Sequence, residues 1–395
     1  MSRFPWSRVR SLFGLSIPVA GSLVLQNAMG LVSTAMVGRL GDAALAGVGV
    51  AGALFSILLA LLFGVDTSVQ ASVARRTGAG EPGEAAQALA DGLWLAAALG
   101  VPLAIASALA VPPLVGLALH DAAAAREGAA YIAGYSPLLL ALAFNMTFAA
   151  YWNGVGRPQR ATAVNLVQLP VHVLLVWALT FGRLGLPALG AFGAGLAASL
   201  GALFATVLHA ALALRAARPA HGWLRPPSWR RARTLIAIGV PVSLQQSLQF
   251  VAMTLYFAVI GQIGVRAAAA ANVTTQVVNL AYFVSSGVGV AAATLVGGAL
   301  GRGDPADARA WGRQSALAAA AVLAPFSLVL VLAPRLVLSL FINTPQTIET
   351  ATLPLQIAGA SVVVGAVGGV LNFAQRGAGY TGLPASVAFA MTWLV

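Results

Sequence analysis

The sequence predicts an all-α polytopic membrane protein made of two like six-helix bundles. Three observations lead there. Of 395 residues, 59% are hydrophobic and only 8% charged, against roughly 25% charged in a soluble domain. No soluble fold could bury so much apolar surface, so lipid must be the solvent. Apolar runs of about 20 residues or more, the length that crosses a bilayer core, recur along the chain. The chain also repeats itself without gaps. Residues 12–85 laid over 235–308 bring Pro18 onto Pro241, Gln26 onto Gln249 and Gly64 onto Gly287, an offset of 223 residues. The stretch Gly78-Ala79-Gly80 falls on Gly301-Arg302-Gly303, and Gly154-Val155-Gly156 on Gly377-Ala378-Gly379.

The runs place spans at roughly 12–38, 44–73, 86–110, 129–151, 162–182 and 190–214, then 235–261, 267–297, 310–333 and 354–375, with a stub from about 381. The first run is too long for the apolar segment of a signal peptide and has no small-residue cleavage site after it, so it reads as a retained span. Pro18, Pro102, Pro137, Pro170, Pro241 and Pro325 fall inside spans, where membrane helices tolerate kinks. Small-residue clusters such as Gly47-Val48-Gly49 favour close helix packing. The organisation is a first lobe over 1–214, a basic linker over 215–234 and a second lobe over 235–395. Six spans per repeat is an even number, so both halves enter the membrane in one orientation. A pseudo-twofold axis along the membrane normal should relate them, with a cavity between. At the same offset Val395 falls on His172. The second bundle is therefore expected to be incomplete, with about 10–11 transmembrane helices present.

All 22 basic residues are arginine, and they give a net charge of +12. Their positions account for that charge without a nucleic-acid partner. One set of loops and helix ends holds Arg3, Arg8, Arg10, Arg75, Arg76, Arg157, Arg160, the six from Arg215 to Arg233, Arg302, Arg309, Arg313 and Arg376. The other side holds Arg39, Arg126, Arg183, Arg266 and Arg335. By the positive-inside rule the N-terminus is cytoplasmic. The chain has no cysteine, hence no disulfide and no thiolate metal or redox chemistry. No metalloprotease, nucleophile-elbow or Walker A sequence occurs, and acidic residues are too scattered for a paired-carboxylate enzyme site. No enzyme and no metal site is expected.

Several ordered stretches resemble the MATE (multidrug and toxic compound extrusion) family of secondary transporters. They are Ile17-Pro18, Leu31-Val32-Ser33-Thr34-Ala35-Met36-Val37-Gly38 and Leu40-Gly41. Further on come Ala71-Ser72-Val73-Ala74 running into Gly78-Ala79-Gly80, Asn153-Gly154-Val155-Gly156, and Gly193-Ala194-Gly195-Leu196-Ala197. The second half repeats the pattern with Gly239-Val240-Pro241 and Gly301-Arg302-Gly303-Asp304. The resemblance implies twelve spans in two bundles and export of amphiphilic or cationic small molecules, coupled to inward H⁺ or Na⁺ by alternating access. It implies no cofactor beyond that ion. The expected setting is the bacterial inner membrane, with lipid as surroundings and the chain acting as a monomer. Departures accompany the matches. Ser33 stands where the family usually carries Asp, and Val176, Gln249 and about Val367 stand where its branches carry other coupling carboxylates. Two alternatives stay open: a flippase for lipid-linked oligosaccharides from the same superfamily, and a defective, non-transporting relative.

Candidate residues follow from polarity inside the spans. Asp66 is the acidic residue deepest in a span, where an ionised carboxylate costs on the order of 2.5–3.5 kcal/mol and usually faces a cavity. It is a candidate ion-coupling site, or a packing residue. His172 and Ser33 are the other ion-coupling candidates, with a hydrogen-bonded structural histidine as the plainer reading. Amides and hydroxyls crowd the remaining spans: Gln26, Asn27, Thr34, Asn153, Asn165, Gln168, Gln245 and Gln249. Asn272, Gln276 and Asn279 follow at spacings of four and three, one helix face, with Tyr282 beyond. Single amides can be interhelical glue. So many, paired across the repeat at Gln26 and Gln249, are expected to line a neutral substrate cavity.

Overall fold

The computed structural model describes residues 6–216 and 228–393. Arg3, linker residues 217–227 and the last two residues fall outside them. Fourteen α-helices make up the described chain: α1 (Trp6–Gly38), α2 (Asp42–Ala60), α3 (Phe63–Gly78), α4 (Pro82–Ala118), α5 (Ala122–Tyr135), α6 (Leu138–Gly154), α7 (Gln159–Phe181), α8 (Gly190–Ala216), α9 (Trp229–Ile263), α10 (Val265–Gly301), α11 (Pro305–Leu332), α12 (Pro334–Ser339), α13 (Pro345–Gly377) and α14 (Gly382–Trp393). Nine stretches are long and apolar enough to cross a membrane, and the bent pair α5–α6 makes a tenth. These are the ten spans the sequence predicts, and α14 is the stub. Helices overrun the apolar runs at both ends, and α9 begins at Trp229 inside the expected linker. Bilayer thickness limits the apolar run, whereas backbone hydrogen bonding continues past the interface.

The prolines behave unequally. Pro18, Pro102, Pro170, Pro241 and Pro325 sit inside continuous helices. Pro137 falls at the α5–α6 break, where the axis turns by 46°. A second break, at Leu61-Leu62 between α2 and α3, has no proline. There the freed Leu61 carbonyl accepts a hydrogen bond from Ser243 Oγ at 2.6 Å, so another helix satisfies the backbone group the break exposes.

Each lobe has its own core. One runs from Val37 to Ala213, the other from Ala270 to Ala374. Each core also holds one leucine from the opposite half: Leu235 of α9 lies in the first and Leu12 of α1 in the second. These two residues coincide under the 223-residue offset, so the starts of α1 and α9 are exchanged symmetrically between lobes. Other cross-lobe contacts obey the same rule. A Cβ at Gly64 would strike the Gly239 carbonyl, and one at Gly287 would meet Ser16 O and Ala20 Cβ at 2.9 Å each. Gly78 lies against the Gly298 carbonyl as Gly301 lies against that of Arg75. A pseudo-twofold rotation exchanges the members of each pair.

This packing explains the Gly-x-Gly motifs. In each, the first glycine makes the close helix contact and the second ends the helix with positive φ: 75° at Gly80, 77° at Gly303, 71° at Gly156 and 83° at Gly379. The first role excludes a Cβ and the second favours a residue without one.

Candidate functional site

All cross-lobe hydrogen bonds among the described residues join segments between the membrane middle and the arginine-rich end. Arg8 Nη2 on α1 donates to Asp307 Oδ1 on α11 at 2.6 Å, and its Nη1 to Gln314 at 3.3 Å. Arg231 Nε on α9 donates to Asp91 Oδ2 on α4 at 2.6 Å. Arg8 and Arg231 are repeat mates, as are Gln314 and Asp91, so these are two copies of one crossed latch. Gln70 Nε2 on α3 donates to Val290 O at 2.9 Å and Thr294 Oγ1 at 3.0 Å on α10, and Thr294 Oγ1 donates to Asn153 O at 3.0 Å. Toward the opposite end, Gln26, Asn27 and Thr34 on α1, Gln249 on α9, and Asn272 and Gln276 on α10 are exposed.

Asp91 is a buried carboxylate that the sequence analysis does not single out. It lies nine residues into α4 with its side chain 1% exposed. Its apolar neighbours in sequence gave no hint that α9 would cross the membrane-facing start of α4 there. Oδ1 has no hydrogen-bond partner.

The three ion-coupling candidates divide into two places. Ser33 Oγ and His172 Nε2 are 3.0 Å apart, and that nitrogen is also 3.2 Å from Met29 O. A carbonyl can only accept, so Nε2 carries the hydrogen. The buried imidazole thus ties α7 to α1 in the first lobe. Asn165 and Gln168 are buried on the same face of α7. Thr34 Oγ1 is satisfied by Gly30 O at 3.0 Å, and the Asn153 side chain sits in the last turn of α6 at the closed end.

Asp66 lies elsewhere, on α3, twelve residues before its end, about 18 Å along the axis. Helices α4, α6, α9, α10 and α13 all pack on α3, so the half-buried Asp66 sits on a helix surrounded by helices of both lobes. Helix α13, one of those packed on α3, carries a buried arginine, Arg376. The sequence reading sets Arg376 at a helix end, and the structure adds that this end is buried. Arg376 sits in the last turn of α13, and that turn ends inside the protein, where Gly377 abuts the Ala293 carbonyl. The arginine is 7% exposed. Its Nη2 donates to Gln245 Oε1 of α9 at 3.0 Å, and its guanidinium lies 5.2 Å from the Phe373 ring centre. Tyr282 of α10 is exposed. One residue expected from sequence, Gln245, is therefore bonded to a buried arginine that was not. Asn279, half-buried, lies one turn from Tyr282 on the same helix. An apolar crevice of about 550 Å³, lined by Met36, Leu169, Pro170, Val173, Leu174 and Trp177, contains none of the polar candidates.

Two repeated helical lobes, joined at one end and parted by polar residues toward the other, define a multi-pass membrane transporter rather than an enzyme. Comparison with known proteins supplies the family. The MatE family model matches residues 18–178 and 241–395, beginning at repeat mates Pro18 and Pro241. A probable multidrug resistance protein NorM of Deinococcus radiodurans is 30% identical over 98% of this chain and 87% of its own length. Its namesake in Rhodopseudomonas palustris is 31% identical over 96% and 82%. Among solved structures, an outward-facing multidrug resistance MATE transporter of the MOP superfamily superposes with a TM-score of 0.88 at 20% identity, covering 98% of this chain and 86% of that one. The eukaryotic MATE transporter AtDTX14 gives 0.86 at 18%, covering 98% and 87%. The chain belongs to the MATE family.

Proposed function

We propose that the chain is a secondary active exporter of amphiphilic or cationic small molecules, driven by H⁺ or Na⁺ antiport, with alternating access between its lobes. The observation that carries this reading is one-ended closure: cross-lobe hydrogen bonds cluster at the arginine-rich end, and Asp66 lies partly open at their inner edge. Asp66 is the ion-coupling group. The exposed amides of α1, α9 and α10 contact substrate, with Gln26 and Gln249 from opposite lobes. Ser33 and His172 fix α7 to α1 rather than carry the ion. The name of the NorM relatives supports a multidrug range. The distribution of arginines supports a bacterial inner-membrane setting with the N-terminus and the closed end cytoplasmic, so the state is outward-open. The protein acts as a monomer.

The flippase alternative is disfavoured by Arg376. A lipid-linked oligosaccharide site would need basic groups facing the cavity, whereas this arginine is buried against Gln245. The test is uptake of a fluorescent lipophilic cation into everted vesicles from a host without its own efflux pumps, under an imposed H⁺ or Na⁺ gradient. Wild type should accumulate dye under one of the gradients, and Asp66→Asn should not. Gradient-driven uptake by Asp66→Asn at the wild-type rate would overturn the role of Asp66. No uptake by wild type would favour the defective reading.

A further inference from the structure

Three arginines at the closed end have no carboxylate partner. All ten acidic residues lie within the described chain, and the ion pairs they form engage Arg8, Arg76, Arg231 and Arg302. Arg10, Arg157 and Arg160 are not among them, and the fold brings these three to one seam. Helix α7 runs beside α1 along a single stripe. Gln159 Nε2 donates to Gly14 O at 3.1 Å and Thr162 Oγ1 to Pro18 O at 2.8 Å. Gly14 and Pro18 are four residues apart, and the same step back along α1 reaches Arg10 and then Trp6. Arg10 therefore stands about 6 Å beyond Gly14 toward the arginine-rich end. Helix α7 has only begun at that level, and the turn before it carries Arg157. Trp6, Arg10 and Arg157 are all exposed.

Arg160, in the first turn of α7, lies on a fixed platform. Its guanidinium carbon is 4.7 Å from the centre of the Trp152 ring. Trp152 is 1% exposed, and its Nε1 donates to Nδ1 of the buried His209 at 3.2 Å. His209 stacks in turn on Phe148, with ring centres 5.6 Å apart and planes 7° from parallel. The indole cannot turn away without losing that bond. A guanidinium over an aromatic face keeps the N–H groups of its edge free, in the planar fork that suits phosphate oxygens.

The repeat supplies a comparison within the molecule. Arg10 is matched by Arg233, but Trp152, Arg157 and Arg160 are matched by Gln375, Tyr380 and Leu383. The second lobe keeps the arginine of its first helix and lacks both the platform and the other two cations. A positive-inside bias acts on a whole side of the membrane and does not ask for a stacked arginine on one lobe.

We propose that Arg10, Arg157 and Arg160 bind the phosphodiester headgroup of an anionic phospholipid at the seam of α1 and α7. Charge selects the occupant: cations with free N–H edges, at the arginine-rich membrane surface, meet the anion that such a surface presents. Trp6 stands at headgroup level, where tryptophans collect. Toward the membrane middle, the exposed Ile17 of α1 and Leu166 of α7 offer apolar faces to the acyl chains. The site does not depend on the reading of Asp66.

The experiment is native mass spectrometry of the full chain in detergent, titrated with phosphatidylglycerol and with phosphatidylcholine of the same acyl chains. Wild type should hold one phosphatidylglycerol with a preference of at least about tenfold, since each arginine near an anionic surface contributes roughly fivefold. Arg157→Gln combined with Arg160→Gln should remove most of that preference, and Arg10→Gln alone should lower it about fivefold. Arg230→Gln combined with Arg233→Gln takes the same charge from the second lobe and should leave the preference intact. Melting temperatures without lipid check that each variant is folded. Equal losses in the two double variants would mean unspecific attraction by net charge and overturn the site, as would a wild type without preference. Displacement of the lipid by inorganic phosphate at the same concentration would make this a site for a free anion and likewise overturn the proposal.

Discussion

The two crossed latches look equivalent under the repeat, yet their removal should have unequal effects. In Arg231→Ala, Asp91 loses its ion-pair partner. Its side chain is 1% exposed, and its second oxygen already lacks a hydrogen bond. Removing one partner of a buried ion pair costs about 3–5 kcal/mol, because the other charge is stranded. In Arg8→Ala, Asp307 is 17% exposed and keeps Arg302 at 2.9 Å and Trp311 Nε1 at 3.1 Å. The loss there resembles that of an exposed pair, about 0.2–1 kcal/mol. Both costs fall on the closed state alone. At ~1.4 kcal/mol per tenfold, Arg231→Ala should raise the ratio of open to closed at the arginine-rich end by roughly 150-fold or more, and Arg8→Ala by about fivefold at most. Spin-label distances between Gly83→Cys and Ala306→Cys measure that ratio directly. Adding Asp91→Asn to Arg231→Ala removes the stranded charge and should recover most of the closed population. Equal shifts for the two single variants, or a double variant no more closed than Arg231→Ala, would refute the reasoning.

Two further outcomes follow from the packing. Gly78→Val and Gly301→Val each put side-chain atoms into backbone of the opposite lobe, which cannot yield as a flexible side chain would. Overpacking of this kind costs about 1–3 kcal/mol. Both should insert normally, show a longer closed-state distance and lose dye efflux, and normal efflux from either would contradict the close approach. His172→Asn should keep gradient-driven efflux at more than about half the wild-type rate while lowering the melting temperature, since one hydrogen bond contributes about 0.5–1.5 kcal/mol. A stable His172→Asn protein without ion-driven efflux would instead assign the imidazole a part in coupling.

Much of this architecture was legible in the chain. Lipid makes length and apolarity sufficient to find a span, since every backbone group must be satisfied within a helix. That is why ten spans could be read from hydrophobic runs, and why the repeat disclosed two like lobes. The break at Leu61-Leu62 left no such mark, because what stabilises it is Ser243, 182 residues away. The burial of Asp91 and Arg376 left no mark for the same reason. A charge near the end of an apolar run looks solvated until the crossing of another helix is known.

The sequence by itself determined the solvent, the number of spans, the repeat and the family pattern, because each is written in local composition or in order along the chain. Only the tertiary structure decided which end is closed, that the starts of α1 and α9 exchange lobes, and that Gln245 bonds a buried Arg376. Those facts depend on distances between helices far apart in sequence. In a membrane, small residues and polar groups at the crossings set such distances more than hydrophobicity does.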